Sequence, residues 1–190
     1  MPTGQIPRSA APATRIDPWK LVVARTASRR ELDAAAGILD EAAAWLAQRG
    51  LPGWERGSFR KPGTSEREAL LAAHRSGDLY LAKDDDQAVA TVSLLWEDRL
   101  YWPDAPPDAA YVHRLAVSRC AAGRGLGRFL LRWAKEEARR RGRAYLRLDC
   151  VADDAAIRAY YERAGFRHRH DLRVGGVDMS LYEKAVSARR

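Results

Sequence analysis

Cysteine is scarce in this chain of 190 residues, which contains only Cys120 and Cys150. Structural zinc sites take their ligands from closely spaced pairs, and the two cysteines show no such spacing. We interpret both as reduced thiols, with Cys150 in the core at the end of a predicted strand. The sequence therefore predicts no metal site. Neither thiol is paired in sequence with a base that would make it a nucleophile.

Long apolar runs are also missing. No stretch is long enough to span the hydrocarbon core of a bilayer, and the first twenty residues lack an apolar segment of the signal-peptide type. We therefore expect a cytoplasmic protein that does not associate with membranes. Residues 1–17 are rich in Pro, Ala, Ser, Thr and Gly, so we predict a disordered tail there and a single domain over 18–186.

Positive charge is concentrated in one part of the chain. There are 33 Lys and Arg against 25 Asp and Glu, a net charge of +8. The stretch 114–143 alone holds nine Arg and one Lys against two Glu, so the rest of the chain is balanced. Such a field attracts a multiply anionic ligand, although a solvated helix face rich in arginine explains it equally. Nucleic acid is a weaker alternative, because no aromatic residues interleave with the basic ones.

A glycine-rich loop that leads into an amphipathic helix is the most informative stretch. Gly123, Gly125 and Gly127 alternate there, and backbone N–H groups at a helix N-terminus can bind an anion when no side chain keeps it away. Arg124 and Arg128 flank the turn and can add charge-assisted bonds to phosphate oxygens. The loop is neither a Walker A site nor a dinucleotide-binding Gly-x-Gly-x-x-Gly. By itself it is also compatible with an ordinary tight turn.

Hydrophobic periodicity places the remaining elements. The predicted order is a strand at 19–24, helices at 28–48 and 65–75, a hairpin at 79–95, the central strand at 111–117, a helix from 126 that ends at Gly142, a strand at 145–150, a helix capped by Asp153 or Asp154, and strands at 167–174 and 177–183. On the central strand, alternation predicts one face with Tyr111, His113, Leu115 and Val117, and another with Val112, Arg114 and Ala116.

Four segments together resemble one family. They are 115–117 (Leu-Ala-Val), 122–127 (Ala-Gly-Arg-Gly-Leu-Gly), Asp154, and 161–166 (Tyr-Glu-Arg-Ala-Gly-Phe). In order and sequence they resemble the GNAT superfamily of acyl-CoA-dependent N-acetyltransferases. Residues 20–110 resemble that superfamily only in the order of their helices and strands. The resemblance implies an α/β fold with a mixed, mostly antiparallel sheet flanked by helices, in which the fourth and fifth strands splay apart. It also implies acetyl-CoA as co-substrate.

In GNAT proteins the glycine loop holds the pyrophosphate of acetyl-CoA, so the resemblance assigns coenzyme binding to this loop and its neighbours. The residues so assigned are Ala122, Gly123, Arg124, Gly125, Leu126, Gly127, Arg128, Asp154 and Tyr161, together with Leu115, Ala116 and Val117, whose backbone would bond the pantetheine arm. Ala122 and Asp154 depart from the Gln or Arg and the Asn that are usual in the family. Both changes leave the backbone N–H groups of the loop in place.

The resemblance also implies catalytic groups. The tyrosine four residues before Gly-Phe lies near the coenzyme sulfur in GNAT proteins, and here it is Tyr161, with Tyr160 as the alternative. A phenol can give its proton to a leaving thiolate. His113 falls where several members carry a glutamate base, and imidazole can deprotonate an ammonium directly or through water. Each has a structural alternative, because the tyrosines can be core residues and His113 can simply pack or hydrogen-bond.

In GNAT proteins the two helices before the sheet and the loops around them form the acceptor wall, so the resemblance implies a wall of this kind here. The candidates are Trp54, Glu55, Trp96, Glu97, Trp102 and Tyr111. Aromatic rings beside carboxylates suit a cationic amine, although core packing also explains each tryptophan.

We expect transfer of acetyl from acetyl-CoA to a primary amine by direct attack in a ternary complex, with a small molecule as acceptor. A protein N-terminal or lysine acetyltransferase and a non-catalytic CoA-binding module are the alternatives. GNAT relatives are often dimers, so a homodimer is a further expectation.

Overall fold

The computed structural model describes residues 21–186, so the predicted tail over 1–17 and the start of the first predicted strand lie outside the described residues. The elements are β1 (Val22–Arg25), α1 (Arg29–Gln48), α2 (Ser65–Ser76), β2 (Leu79–Asp84), β3 (Gln87–Leu95), β4 (Ala109–Val117), α3 (Leu126–Arg140), β5 (Tyr145–Val151), α4 (Ala155–Arg163), β6 (Arg167–Val174) and β7 (Val177–Ala185). A single 3₁₀ turn, Arg119–Ala121, lies between β4 and α3. The predicted elements are therefore confirmed within the described range, with small shifts at their ends.

The seven strands form one sheet in the order β1-β2-β3-β4-β5-β7-β6. All neighbours are antiparallel except β4 and β5, which run parallel. These two strands pair only from Ala109–Tyr145 to Val112–Leu148. Beyond that pair each strand continues, β4 to Val117 and β5 to Val151, without pairing to the other. The predicted α/β fold and the splay between the fourth and fifth strands are confirmed.

Local sequence signals explain where the helices begin. Ser28 caps α1, and its hydroxyl accepts from the backbone N–H of Glu31 while the Glu31 carboxylate accepts from Ser28 N–H, a complete capping box. Thr64 caps α2, and Asp154 caps α4 by accepting from two backbone N–H groups of its first turn. No helix within residues 21–186 is both long enough and apolar enough to cross a membrane.

The helices cover the two faces of the sheet in pairs. On the α1/α2 face the buried cluster includes Leu39, Leu79 and Ala116. On the α3/α4 face the larger cluster includes Leu130 and Leu148. The loop 96–108 between β3 and β4 also lies on the α1/α2 side, where its Trp102 packs with Tyr111. The gap between β4 and β5 therefore opens between two packed layers.

A β-bulge in β4 overturns the predicted alternation of its side chains. Ser93 pairs with His113 and Thr91 with Ala116, so two residues of β4, Arg114 and Leu115, lie opposite one residue of β3. Arg114 has φ +49°, a left-handed conformation that is uncommon for a residue other than glycine. The extra residue places the side chains that follow it in β4 on the faces opposite to those predicted. Val112, Leu115 and Val117 consequently contact the α3/α4 cluster, whereas Ala116 lies in the α1/α2 cluster.

Candidate active site

The N-terminus of α3 is built to receive an anion. Gly125 precedes the helix with φ +81°, Gly123 has φ +78°, and a Cβ added at either would meet no atom within 4 Å. The space in front of the helix is therefore open where side chains are missing. No side chain within the described range caps α3, and the first N–H groups of a helix have no partner inside it. These donors and the positive end of the helix dipole favour a negatively charged group there.

Arginines line the depression beside this helix end. Its volume is about 160 Å³, and it is lined by Leu21, Arg124, Gly125, Leu126, Arg128, Phe129 and Arg132. Three guanidinium groups around one surface depression attract anions, and each can bond phosphate oxygens in pairs. Four of the predicted loop residues, Arg124, Gly125, Leu126 and Arg128, are thus brought together at one positively charged depression.

Gly127, inside the first turn of α3, makes room for Tyr160 of α4. A Cβ added at Gly127 would lie 2.5 Å from the Tyr160 hydroxyl oxygen and 3.5 Å from Cζ. Burial raises the pKa of Tyr160, so its phenol stays neutral at this position. The third glycine of the loop therefore serves the packing of two helices, in addition to any role in anion binding. The Tyr160 hydroxyl thus lies at the loop, while its ring lies 5.4 Å from the Tyr161 ring.

Replacing Gly127 by alanine tests this contact through the sign of its effect on stability. In a helix interior, alanine is normally more favourable than glycine by about 1 kcal/mol. In the wild-type background the new methyl group should displace the Tyr160 ring and lower the melting temperature. In the Tyr160→Phe background the oxygen is gone, and Gly127→Ala should raise it by about 2–4 °C. Thermal unfolding of the wild type and the three variants measures both effects. A change of the melting temperature in the same direction in both backgrounds would contradict the contact.

A histidine between two carboxylates lies where β4 and β5 part. His113 and Asp149 directly follow the last pair, Val112–Leu148. The Nε2 atom of His113 lies 2.9 Å from Oδ2 of Asp98, and its Nδ1 atom lies 3.4 Å from Oδ1 of Asp149. All three side chains are mostly buried. The α1/α2 face therefore carries a chain of three proton-binding groups at the origin of the gap.

Burial shifts pKa values in and around the cluster of Asp98, His113 and Asp149. Burial raises the pKa of Asp149, and the nearby His113 opposes that shift. Burial also raises the pKa of Tyr101 to about 12, and the Tyr101 ring lies 5.8 Å from the His113 ring. Asp98 is held in place because its Oδ1 accepts from the backbone N–H of Tyr101 at 3.2 Å. Low solvent access thus strengthens each charge–charge interaction at this point.

The same three residues are a group that could bind a metal ion, since their donor atoms lie within 4.8 Å of one another. However, Asp98 faces Nε2 and Asp149 faces Nδ1, on opposite sides of the His113 ring. The contact to Asp98 is a hydrogen bond, whereas the contact to Asp149 is longer and lacks hydrogen-bond geometry. The absence of a metal from the reaction stays a prediction.

Tyr161 lies on the other face of the sheet. Its side chain is buried in the α3/α4 cluster against Phe166 and Tyr182, and its hydroxyl has no hydrogen-bond partner within residues 21–186. Burial, followed by the nearby Cys150 and Asp149, raises the pKa of Tyr161 far above its usual range. Burial also raises the pKa of the Cys150 thiol to about 12, so this thiol stays protonated and is a poor nucleophile.

Four of the predicted wall residues meet at one cavity, of about 350 Å³. Its lining comprises Trp96, Glu97, Asp98, Arg99, Trp102, Ala105, Pro106, Pro107, Tyr111 and Arg143. The cavity reaches Asp98, the carboxylate that contacts His113. Trp54 and Glu55 do not line it: Trp54 packs edge-on against Phe59 under α1, and Glu55 is exposed.

Individual wall residues have structural partners as well. Trp96 donates to Asp78 at 3.0 Å and lies under the guanidinium of Arg141, whereas the exposed Glu97 pairs with Arg99. Trp102 is buried, and the guanidinium of Arg147 lies 4.7 Å from the centre of its ring. These contacts fix the cavity walls.

Two comparisons identify the family. The sequence model of the Acetyltransferase (GNAT) family matches residues 38–166. The uncharacterized N-acetyltransferase YesJ of Bacillus subtilis (strain 168) is 32% identical over 166 residues, which cover 83% of this chain and 87% of YesJ. The chain belongs to the GNAT acetyltransferase family. It is accordingly an acyl-CoA-dependent N-acetyltransferase, and the resemblance seen in the sequence is confirmed.

Solved GNAT structures share the fold. An acetyltransferase of the family from Listeria monocytogenes 4b F2365 superposes with a TM-score of 0.68 at 22% identity, covering 87% of this chain and 94% of its own. The ribosomal-protein-S18-alanine N-acetyltransferase of Escherichia coli superposes with a TM-score of 0.62 at 21% identity, covering 90% of this chain and 96% of its own. yncA of Salmonella typhimurium, solved with its cofactor acetyl-CoA, superposes with a TM-score of 0.63 at 16% identity, covering 90% of this chain and 96% of its own.

The site fits the coenzyme of this acetyltransferase family. When bound, acetyl-CoA supplies an acetyl group activated as a thioester. The open cradle at Gly123 and Gly125 and the arginines beside it suit its phosphates. The gap beyond Val112 and Leu148 leaves the inner edges of both strands free for the pantetheine arm.

Sequence reasoning missed three groups of this site: Asp98, Asp149 and Arg147. Asp149 and Arg147 alternate with apolar residues in β5, a pattern that resembles an ordinary solvent face. In the structure that face is covered by the loop 96–108, and Arg147 is buried with ion pairs to Glu183 and Asp108. A charged residue in a strand of a parallel pair was the available signal, because both faces of such strands are usually covered.

Proposed function

We propose that this GNAT acetyltransferase acetylates the primary amine of a small molecule by direct attack in a ternary complex. The observation that carries the proposal is the position of His113 and Asp149 at the origin of the gap, on the face opposite Tyr161. A thioester lying in the gap would have a base on one side and an acid on the other. Both reactants can then be present together, and no covalent enzyme intermediate is needed.

His113 is the proposed base. Amines are mostly protonated near neutral pH, so one proton must leave before the nitrogen can attack. Because the contact to Asp98 is the shorter, we assign the Nε2 hydrogen to it. The proton that leaves the ammonium then reaches Nδ1 by way of the Asp149 carboxylate, which lies 3.4 Å away. The two carboxylates also favour binding of a cationic acceptor. Asp98 acts here as a positioning residue that fixes the ring and its tautomer.

Tyr161 is the proposed acid. Burial raises the pKa of Tyr161, which keeps the phenol protonated throughout the physiological range but makes it a weaker acid. The same burial raises the pKa of a thiol in this environment, as it does for Cys150, so a thiolate leaving there can still take the proton. Tyr160 fits this role less well, because its hydroxyl lies at Gly127 in the glycine loop. The backbone N–H groups of 115–117 are proposed to bind the arm and polarise the carbonyl.

The size of the cavity favours a small acceptor. Its volume of about 350 Å³ lies at the lower end of the range for small-molecule sites, roughly 300–1,000 Å³. Its lining includes the buried Trp102 and the consecutive prolines Pro106 and Pro107. A structural neighbour is named for a ribosomal protein, but at 21% identity that likeness concerns the fold alone.

Thiol release from acetyl-CoA, with product masses determined, tests the proposal. The panel should contain small primary amines, peptides with free N-termini, and peptides with a free lysine but a blocked N-terminus. We expect turnover with small amines at kcat/KM values at least about 100-fold above those of the peptides. Faster peptide acetylation would support a protein acetyltransferase instead. Binding of acetyl-CoA without thiol release for any acceptor would support a non-catalytic CoA module.

A further inference from the structure

Arg114 is held in a backbone conformation that its side chain does not favour. It occupies the bulge of β4 with φ +49°, next to His113. Non-glycine residues in this region are strained, and such strain tends to persist at functional sites. The bulge directs this one arginine out of the regular alternation of the strand.

The Arg114 guanidinium also lacks the partners that a buried cation needs. Within residues 21–186 it makes no hydrogen bond and no ion pair within 4 Å, and its Nη1 atom is fully buried without an acceptor. Burial lowers its pKa. Arg147 provides the contrast inside the same sheet, since it bonds Glu183 at 2.9 Å and the Tyr111 hydroxyl at 3.0 Å. Buried polar groups are normally satisfied, so an unsatisfied guanidinium needs an explanation.

Arg114 directly follows His113 in β4, where that strand borders the gap. Burial lowers its pKa, and the carboxylates of Asp149, Asp98 and Glu66, in order of decreasing effect, oppose that shift. Two of these groups contact His113, the proposed base. A cation at this point repels a simple ammonium ion. It would instead attract an acceptor that carries a negative group close to its amine.

We propose that the acceptor is a small amine that also carries a carboxylate, as an α-amino acid does, and that Arg114 binds this carboxylate. The inference rests on the proposed function and names the acceptor class for the same site. A guanidinium binds a carboxylate through two parallel N–H···O bonds, which fixes the direction of the acceptor as well as its charge. The amine of the same molecule then lies toward His113, Asp98 and Asp149.

The test compares matched acceptors on the same enzyme. An amino acid, its carboxamide and the amine that lacks the carboxylate differ at the group that Arg114 would bind. They also differ in the pKa of the amine, so each rate is expressed per deprotonated amine at the assay pH. For the wild type we expect kcat/KM for the amino acid to exceed that for the amine by about 100-fold, the effect of charge-assisted bonds to a carboxylate. In Arg114→Gln this ratio should fall close to one, and in Arg114→Lys about 10-fold of preference should remain. Arg173→Gln, an exposed arginine on β6, should keep the wild-type ratio.

The ratio within one variant cancels any effect of the substitution on coenzyme binding or on the amount of folded enzyme. An equal loss of rate for all three acceptors in Arg114→Gln would overturn the proposal and give Arg114 a purely structural role. A wild type that acetylates amines without regard to the carboxylate would overturn it as well, while leaving the proposed function intact. A wild type that acetylates only peptides would overturn both.

Discussion

Replacing Tyr161 by phenylalanine should lower kcat by about 100-fold or more while leaving the affinity for acetyl-CoA unchanged. The hydroxyl has no hydrogen-bond partner in the described part of the chain, and the ring packs in the core against Phe166 and Tyr182. Phenylalanine keeps that packing, so the melting temperature should stay within 1–2 °C. Steady-state rates at saturating acetyl-CoA and a binding titration separate the two effects.

Tyr160→Phe is the matched control for this variant. Its hydroxyl lies at Gly127, so its removal should change kcat by less than about 3-fold. A large loss in Tyr160→Phe with little loss in Tyr161→Phe would move the acid to Tyr160. Because burial raises the pKa of Tyr161 so far, the phenol should not ionise below pH 10, and the wild-type rate should show no alkaline decline from this group.

Replacing His113 by glutamine should lower kcat/KM at pH 7 by about 100-fold or more, as expected for loss of a general base. The loss should shrink as pH rises. An alkyl amine with a pKa near 10.4 becomes about tenfold more deprotonated per pH unit below that value, and a deprotonated acceptor needs no base. A pH–rate profile of both enzymes from pH 6 to 10 measures this recovery.

Asp98→Asn serves as the control for His113. The amide retains the shape of the carboxylate that lies 2.9 Å from Nε2 but loses its charge. We expect a loss of about 10-fold, roughly the contribution of one charge-assisted hydrogen bond. If the profile of His113→Gln instead ran parallel to that of the wild type, the histidine would have a structural role and the base would be another group.

Local signals in the sequence predicted the elements correctly, including the glycine turn directly before α3, because their causes lie within a few residues. The capping box of Ser28 and Glu31 and the alternating glycines before α3 are examples. The bulge at Arg114 was not predictable in this way, because it depends on the register with β3. Simple alternation therefore assigned Leu115, Val117 and Ala116 to the wrong faces.

The acceptor side was the least predictable part. Asp98 reaches His113 through the conformation of the loop 96–108, and Asp149 reaches it across a parallel strand pair. Neither contact has a sequence spacing that identifies it. The structure brings three of the predicted aromatic residues together, because Trp96, Trp102 and Tyr111 line one cavity, whereas Trp54 packs against Phe59 elsewhere. Their role as an acceptor wall stays a prediction.

The central claim is that both reactants occupy opposite sides of the gap between β4 and β5 at the same time. Initial rates of thiol release, with acetyl-CoA and the best small amine varied against each other, test it most directly. The account predicts double-reciprocal lines that intersect, as a ternary complex requires. Parallel lines would indicate that the acetyl group is first transferred covalently to the enzyme and only then to the amine. They would contradict direct attack, and with it the inference that the protonated Cys150 thiol takes no part.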